Sequence, residues 1–311
     1  MSLLSSPTET RPAEERTGQY QSLATVRDWW RLLRPRQWIK NFVVFAGLLF
    51  TGSFTVQALL LTGSVFLAFC ALSSAGYLVN DTLDAPRDRA HPRKRERPIA
   101  AGRIRPGAAL TVAVLLGVGG IVGIAALNFR VALLGLAYLA LTFSYSFIWK
   151  HMVILDVVAL AVALILRAFA GTAILHIALS PWLLVCLWLL ALMLGFGKRR
   201  HELCLIDVAP HDQRPVLAQY TCQFLDQAST AVLGAALVSY AVYAIMSPTA
   251  QKHPSLVYTV PLVGYGMLRY LYLVHVAKEG GQPEEIFLTD RPIIVTAILW
   301  ALLVVGIFLW V

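Results

Sequence analysis

The sequence predicts an all-α integral membrane protein: nine transmembrane helices in a bundle, with a polar cavity facing the cytoplasm. Three observations carry that prediction. Hydrophobic residues make up 58% of the chain and charged residues only 14%, with a mean hydropathy of +0.68. Soluble domains stay near half apolar and have no interior large enough for such a surplus. The apolar residues also fall in runs, among them 108–127, 153–165, 181–196 and 292–311, which approach the ~20 residues a helix needs to cross about 30 Å of hydrocarbon. Finally, these runs are uniform and not alternating, which excludes the strands of a membrane barrel.

In chain order, residues 1–33 read as a cytoplasmic tail. Its first 25 residues are rich in Ser, Thr, Glu, Arg and Pro and have no apolar core of a secretory signal, and the tail is expected to be disordered. Residues 34–311 form the transmembrane catalytic domain, with spans at about 38–54, 57–79, 108–127, 130–148, 153–175, 180–197, 222–246, 254–276 and 291–311. The first is unusual in carrying Lys40 and Asn41 in its opening turn. Gly117-Val118-Gly119-Gly120 lies inside an apolar helix and reads as a close-packing surface.

The distribution of charge sets the orientation. Of the 26 Lys and Arg residues, only Arg130 and Lys252 fall on one set of loops and only Arg167 and Arg269 in the body of a span; the others, with Lys40 and Arg291 counted at the ends of their spans, lie on the opposite side. The positive-inside rule therefore places the N-terminus and the long loops in the cytoplasm, as expected for a multi-pass protein of the plasma (inner) membrane. The net charge of +9 is thereby explained by topology, and no nucleic acid partner is expected. Cys70, Cys186, Cys204 and Cys222 show no metal spacing and read as small buried hydrophobes.

The cytoplasmic connections 80–107 and 198–221 are long and charged, which marks them as functional. The first begins with Asn80-Asp81-Thr82-Leu83-Asp84-Ala85-Pro86-Arg87-Asp88. The i, i+3, i+7 spacing puts Asp81, Asp84 and Asp88 on one helical face. Carboxylates that crowded suit a hard cation, and oxygen ligands without His or Cys suit Mg²⁺, which shares its shell with substrate phosphates. The Arg and Lys residues from 87 to 97 that follow extend this reading to a metal-bound diphosphate, with Pro86 placed to turn Asp88 aside.

The second connection opens with Lys198-Arg199-Arg200-His201-Glu202. These residues read equally as phosphate-binding cations with Glu202 beside them, or as a stop signal of snorkelling side chains. A third group joins Tyr145 and Lys150 to Asp156 and Arg167. Asp156 and Arg167 are about three turns apart on one face, with Arg167 roughly 16 Å deeper. An arginine at that depth costs at least ~2.5 kcal/mol unless it faces protein or water, which implies a cavity or an interhelical hydrogen-bonding role. Arg269 reads as snorkelling, and Thr289-Asp290-Arg291-Pro292 as a helix start.

The motif N-D-x-x-D-x-x-x-D after the second of nine helices, with a polar cluster after the sixth, resembles the UbiA superfamily of membrane prenyltransferases. The likeness runs from about Arg34 onward. Arg34-Pro35-Arg36-Gln37-Trp38-Ile39-Lys40-Asn41, Tyr145 to Lys150, and Gly197 to Leu203 resemble the branch that transfers phosphoribose. Superfamily members that use prenyl diphosphates usually carry a second aspartate motif where this chain has Lys-Arg-Arg-His-Glu.

The resemblance implies a UbiA-type bundle and a Mg²⁺-dependent enzyme. It implies transfer of 5-phosphoribose from phosphoribosyl diphosphate to a polyprenyl phosphate, decaprenyl phosphate in that branch, for cell-wall arabinan synthesis. Asp81, Asp84 and Asp88 would hold the metal and act at the leaving group. Lys40, Asn80, Tyr145, Lys150, Asp156, Arg167, Lys198, Arg199, Arg200 and Glu202 would bind substrate. A homo-oligomer is compatible with this reading. The alternatives are prenyl transfer from a prenyl diphosphate to an aromatic acceptor, a transporter, or a non-catalytic scaffold.

Overall fold

The computed structural model describes residues 25–52, 54–90, 94–204, 215–276 and 283–309. The chain opens with α1 (Val26–Leu33), a 3₁₀ segment (Pro35–Phe45) and α2 (Ala46–Thr51). There follow α3 (Val56–Ala90), α4 (Pro106–Leu127), α5 (Phe129–Phe147), α6 (Leu155–Ile174), α7 (Pro181–Cys204), α8 (Cys222–Met246), α9 (Pro248–Lys252), α10 (Val260–His275), α11 (Pro283–Thr289) and α12 (Arg291–Leu309). Each long helix packs on the next, and α2 touches both α6 and α12, which brings the two ends of the series together. Helix α6 is the most enclosed of the long helices, whereas α4 and α12 expose most of their apolar surface, as lipid-facing helices do.

Seven helices are long and apolar enough to cross a membrane, where nine spans were expected. The expected first and eighth spans are the two that differ. Pro35 starts the first as a 3₁₀ segment that gives way to α-helix only at Ala46. Pro254 does the same to the eighth, so that α10 begins at Val260. Both prolines lack the N–H that a continuous α-helix needs at an interior position. Because a 3₁₀ turn rises about 2.0 Å per residue, each composite segment still reaches roughly 30 Å or more. The first passes so close to α6 that a Cβ at Gly171 would strike the Val44 carbonyl.

Three further expectations are corrected. The tail is not disordered through residue 33: Thr25 and Asp28 form a capping box at the start of α1, and Leu32 is buried. Residues 1–24 lie outside the described residues. Pro86 does not turn Asp88 aside, since α3 continues through it to Ala90. Cys204 and Cys222 are joined in a disulfide, because α7 and α8 pack side by side and bring their adjoining ends together; Cys70 and Cys186 are buried thiols as expected. Gly120 lies against Leu72 and the Ala68 carbonyl, as a packing glycine should.

Antiparallel succession gathers the polar residues at one end of the bundle. The C-terminal ends of α3, α5 and α7 meet the N-terminal ends of α6 and α8 there, through Lys150 to Asp84, Arg199 to Asp156 and Tyr145, and Tyr220 to Asp156.

Candidate active site

The last three turns of α3 carry the carboxylate face. Asp81 and Asp88 are both 3% exposed, and one guanidinium spans them: Arg97 Nη1 lies 3.1 Å from Asp81 Oδ1 and 2.7 Å from Asp88 Oδ2. Arg34 Nη2 donates to the same Asp81 oxygen at 2.6 Å while its guanidinium lies over the Tyr77 ring. Asp84 is more open; it accepts from Asn80 Nδ2 at 2.9 Å and from Lys150 Nζ at 3.2 Å. Lys40 donates to Gln37, which also accepts from Tyr77. Gln37 and Tyr77 thus link Lys40 to Arg34 at the carboxylates.

The arginines come from elements that are themselves fixed. Arg34 adopts a left-handed backbone at the joint between α1 and the 3₁₀ segment, a conformation that costs a non-glycine residue energy and often marks a functional position. Helix α1 is tied to the loop carrying Arg97 by Arg103, which donates to Asp28 at 2.9 Å. Burial pulls the Asp28 carboxyl upward, but hydrogen bonds from Thr25 and the charge and hydrogen bond of Arg103 outweigh it and hold the carboxyl below its usual range.

A second cluster is sealed. Arg199 is fully buried and donates to Asp156 at 2.5 Å, Glu202 at 2.6 Å and the Tyr145 hydroxyl at 2.9 Å. Tyr220 donates to the other Asp156 oxygen at 2.7 Å and accepts from the Ile154 amide at 2.6 Å. Burial, then donation to Asp156, pushes the Tyr220 phenol well above its ordinary range, so it stays protonated. Its bond to Ile154 secures a left-handed residue that otherwise lacks a cap at the start of α6.

The structure thus divides the expected substrate-binding residues. Asn80, Asp81, Asp84, Asp88 and Lys150 come together with Arg34 and Arg97. Tyr145, Asp156, Arg199 and Glu202 form the sealed cluster with Tyr220. Arg200 turns the other way, pairing with Asp226 on α8 and donating to the Val274 carbonyl at 2.8 Å. Lys198 is half-buried on α7.

Arg167 lies on α6 with Asp156 but has its own partners. It donates to Asn41 at 2.7 Å, Tyr138 at 2.8 Å and the Ala163 carbonyl at 2.9 Å, the interhelical role that the sequence left open. Asp290 caps α12 through the Ile293 amide and holds Arg269, so Arg269 is paired and does not simply snorkel. The Arg269 hydrogen bond outweighs the opposing effect of burial and, with the smaller help of that cap and the Arg269 charge, lowers the Asp290 carboxyl.

Sequence reasoning did not single out Arg34, Arg97 or Tyr220. The two arginines lie in basic stretches where nothing in the spacing distinguishes them, and Tyr220 stands far from any motif. Among the described residues, no three Asp, Glu, His or Cys side chains converge as a ready metal cluster. The donor chemistry nevertheless fits a hard divalent cation: every candidate ligand is a carboxylate or amide oxygen, and a cationic nitrogen already lies between two of the carboxylates.

A multi-pass helical bundle with carboxylates and cations gathered at one end suits a membrane-embedded transferase. Residues 41–289 match the model of the UbiA prenyltransferase family, and the chain belongs to that family. It is 34% identical over 283 residues to decaprenyl-phosphate phosphoribosyltransferase of Corynebacterium glutamicum, covering 88% of this chain and 85% of that one. The protein of the same name from Mycobacterium tuberculosis H37Rv is 34% identical over 275 residues, covering 87% and 90%. The fold matches the structure of a UbiA homologue from Archaeoglobus fulgidus bound to GPP and Mg²⁺, with a TM-score of 0.70 at 18% identity over 90% of this chain and 99% of that one.

Proposed function

We propose that the protein transfers 5-phosphoribose from phosphoribosyl diphosphate to a polyprenyl phosphate, decaprenyl phosphate by its relatives' names, with release of diphosphate. The observation that carries this reading is the 34% identity, across most of both chains, to phosphoribosyltransferases of that specificity. The gathering of Arg34, Arg97 and Lys150 on the carboxylate face supports it.

In the reaction the bond from the anomeric carbon to the diphosphate oxygen breaks, and its electron pair leaves with diphosphate. An oxygen of the lipid phosphate forms the new bond to that carbon. The acceptor is already an anion, so no general base is required. Asp81, Asp84 and Asp88 would hold Mg²⁺, with Asn80 orienting Asp84. When bound, the ion would neutralise charge on the departing diphosphate. Arg34, Arg97 and Lys150 lie beside the same carboxylates and supply further positive charge to the leaving group. Lys40 and Lys198 are candidates for the donor's 5-phosphate. Asp156, Arg199, Tyr145, Glu202 and Tyr220 support the α5–α6 connection that presents Lys150, and Arg200 and Arg167 brace helices. We place the site and the N-terminus in the cytoplasm, in a plasma membrane crossed nine times, on the basic bias of that side. The lipid-linked pentose would then serve cell-wall arabinan synthesis.

The test is incubation of purified protein with labelled phosphoribosyl diphosphate, polyprenyl phosphate and Mg²⁺. Label is expected in the lipid fraction and should vanish with chelator. Unlabelled lipid, together with turnover of a prenyl diphosphate on an aromatic acceptor, would overturn the reading.

A further inference from the structure

Two buried carboxylates on one helix face repel each other, and a positive charge between them relieves the repulsion. In this protein that charge is Arg97, whose Nη1 is within hydrogen-bonding distance of both Asp81 and Asp88. Of these two carboxylates, Arg34 reaches Asp81. The backbone that delivers Arg97 is anchored: its N–H donates to the Lys94 carbonyl, its carbonyl accepts from Ala101, Ile99 and Ile104 are buried, and Arg89 donates to the Ala100 carbonyl. The side chain is not anchored in the same way. It keeps 29% exposure, so an anion can reach the guanidinium while the carboxylates behind it stay buried.

We propose that Arg97 is a placeholder cation: it occupies the position between Asp81 and Asp88 in the metal-free protein and leaves it with the arriving diphosphate. Divalent ion and diphosphate therefore bind in mutual dependence. This rests on the metal–diphosphate reading above. A metal ion arriving alone must displace a guanidinium that has no better partner. Diphosphate supplies that partner, because its oxygens accept the same forked donors as a carboxylate does. The guanidinium moves onto the incoming anion, and the vacated carboxylates face the incoming ion. Such coupling is reciprocal: each ligand tightens the other by the same factor.

The experiment measures Mn²⁺ binding to the full-length protein in detergent, with and without inorganic diphosphate, against a protein-free control for the Mn²⁺–diphosphate complex. In the wild-type protein, diphosphate is expected to tighten Mn²⁺ by about tenfold or more. Arg97→Gln should bind Mn²⁺ alone about tenfold more tightly than wild type and lose most of the diphosphate enhancement. Arg97→Lys keeps a charge for the fold but loses the fork, and should fall between the two.

If Mn²⁺ binds but neither variant is tighter than wild type, or diphosphate leaves the wild-type affinity unchanged, the placeholder role is overturned and the metal reading stands. If no Mn²⁺ binds to any of the proteins under either condition, the metal reading falls and this inference falls with it.

Discussion

Asp81 and Asp156 are both buried aspartates that accept from arginine, yet their surroundings differ in one decisive respect. The arginines on Asp81 keep 25% and 29% of their side-chain surface, whereas Arg199 on Asp156 keeps 1%. The first pair of cations can exchange partners with a ligand from solvent; Arg199 cannot without unpacking helices. Charge at the end of a membrane bundle thus does two kinds of work, and the exposure of the cation, more than that of the carboxylate, tells them apart.

The sharpest way to break this comparison is Asp156→Asn. Removing a buried carboxylate from an ion pair costs up to about 3–5 kcal/mol, and here it leaves the buried Arg199 with Glu202 in place of two carboxylates. A large loss of folded protein is expected by size exclusion in detergent. The combined change Asp156→Leu, Arg199→Met and Glu202→Gln should recover much of that loss, because it removes the buried guanidinium together with both of its carboxylates. Full stability in Asp156→Asn would mean the sealed cluster is dispensable.

Asp84→Asn should behave in the opposite way. Folded yield stays near wild type, while lipid labelling falls by about 10²–10³-fold, as when one preorganised charge-stabilising group is removed. A variant with ordinary activity would strike Asp84 from the metal site.

Lys198→Ala tests the residue between the two regimes. An increase of about tenfold in KM for the phosphoribosyl donor is expected, the size of one charge-assisted hydrogen bond, with kcat little changed. An unchanged KM would leave the Lys-Arg-Arg-His-Glu segment with its topological role.

The smallest expected effect on activity belongs to Cys204→Ser. The bridge to Cys222 ties the end of α7 to the start of α8, and no hydrogen bond or ion pair described at the carboxylate face involves it. Labelling within about twofold of wild type is expected, alongside a lowered thermal midpoint from the lost chain constraint.

What could be read from the sequence follows from the range of each interaction. Asp81, Asp84 and Asp88 were legible because a helix turns fixed spacing into a shared face. The pairing of Asp290 with the start of α12 was legible because a cap acts within one turn. Arg97 and Arg34 reach that face from 16 residues after Asp81 and 47 before it, and periodicity carries no information at such separations. The partners of Asp156 and Arg167 were not legible for a related reason. Both do lie on α6, but Arg199 from α7 claims one and Asn41 from the 3₁₀ segment claims the other. The seven long helices were read from hydropathy. The 3₁₀ entry at Pro35 was not, because a hydropathy window is blind to the rise per residue.

Arg167 has one further consequence. Its hydrogen-bond partners among the described residues, Asn41, Tyr138 and the Ala163 carbonyl, are all neutral, so there its charge is solvated by dipoles. A fixed positive charge in a low-dielectric interior repels other cations over many ångströms, and pores that must exclude protons use the same device. A polar interior in a membrane bundle offers cations a route across the barrier. A guanidinium held at that depth raises the electrostatic cost of the route for any cation, whatever else it braces.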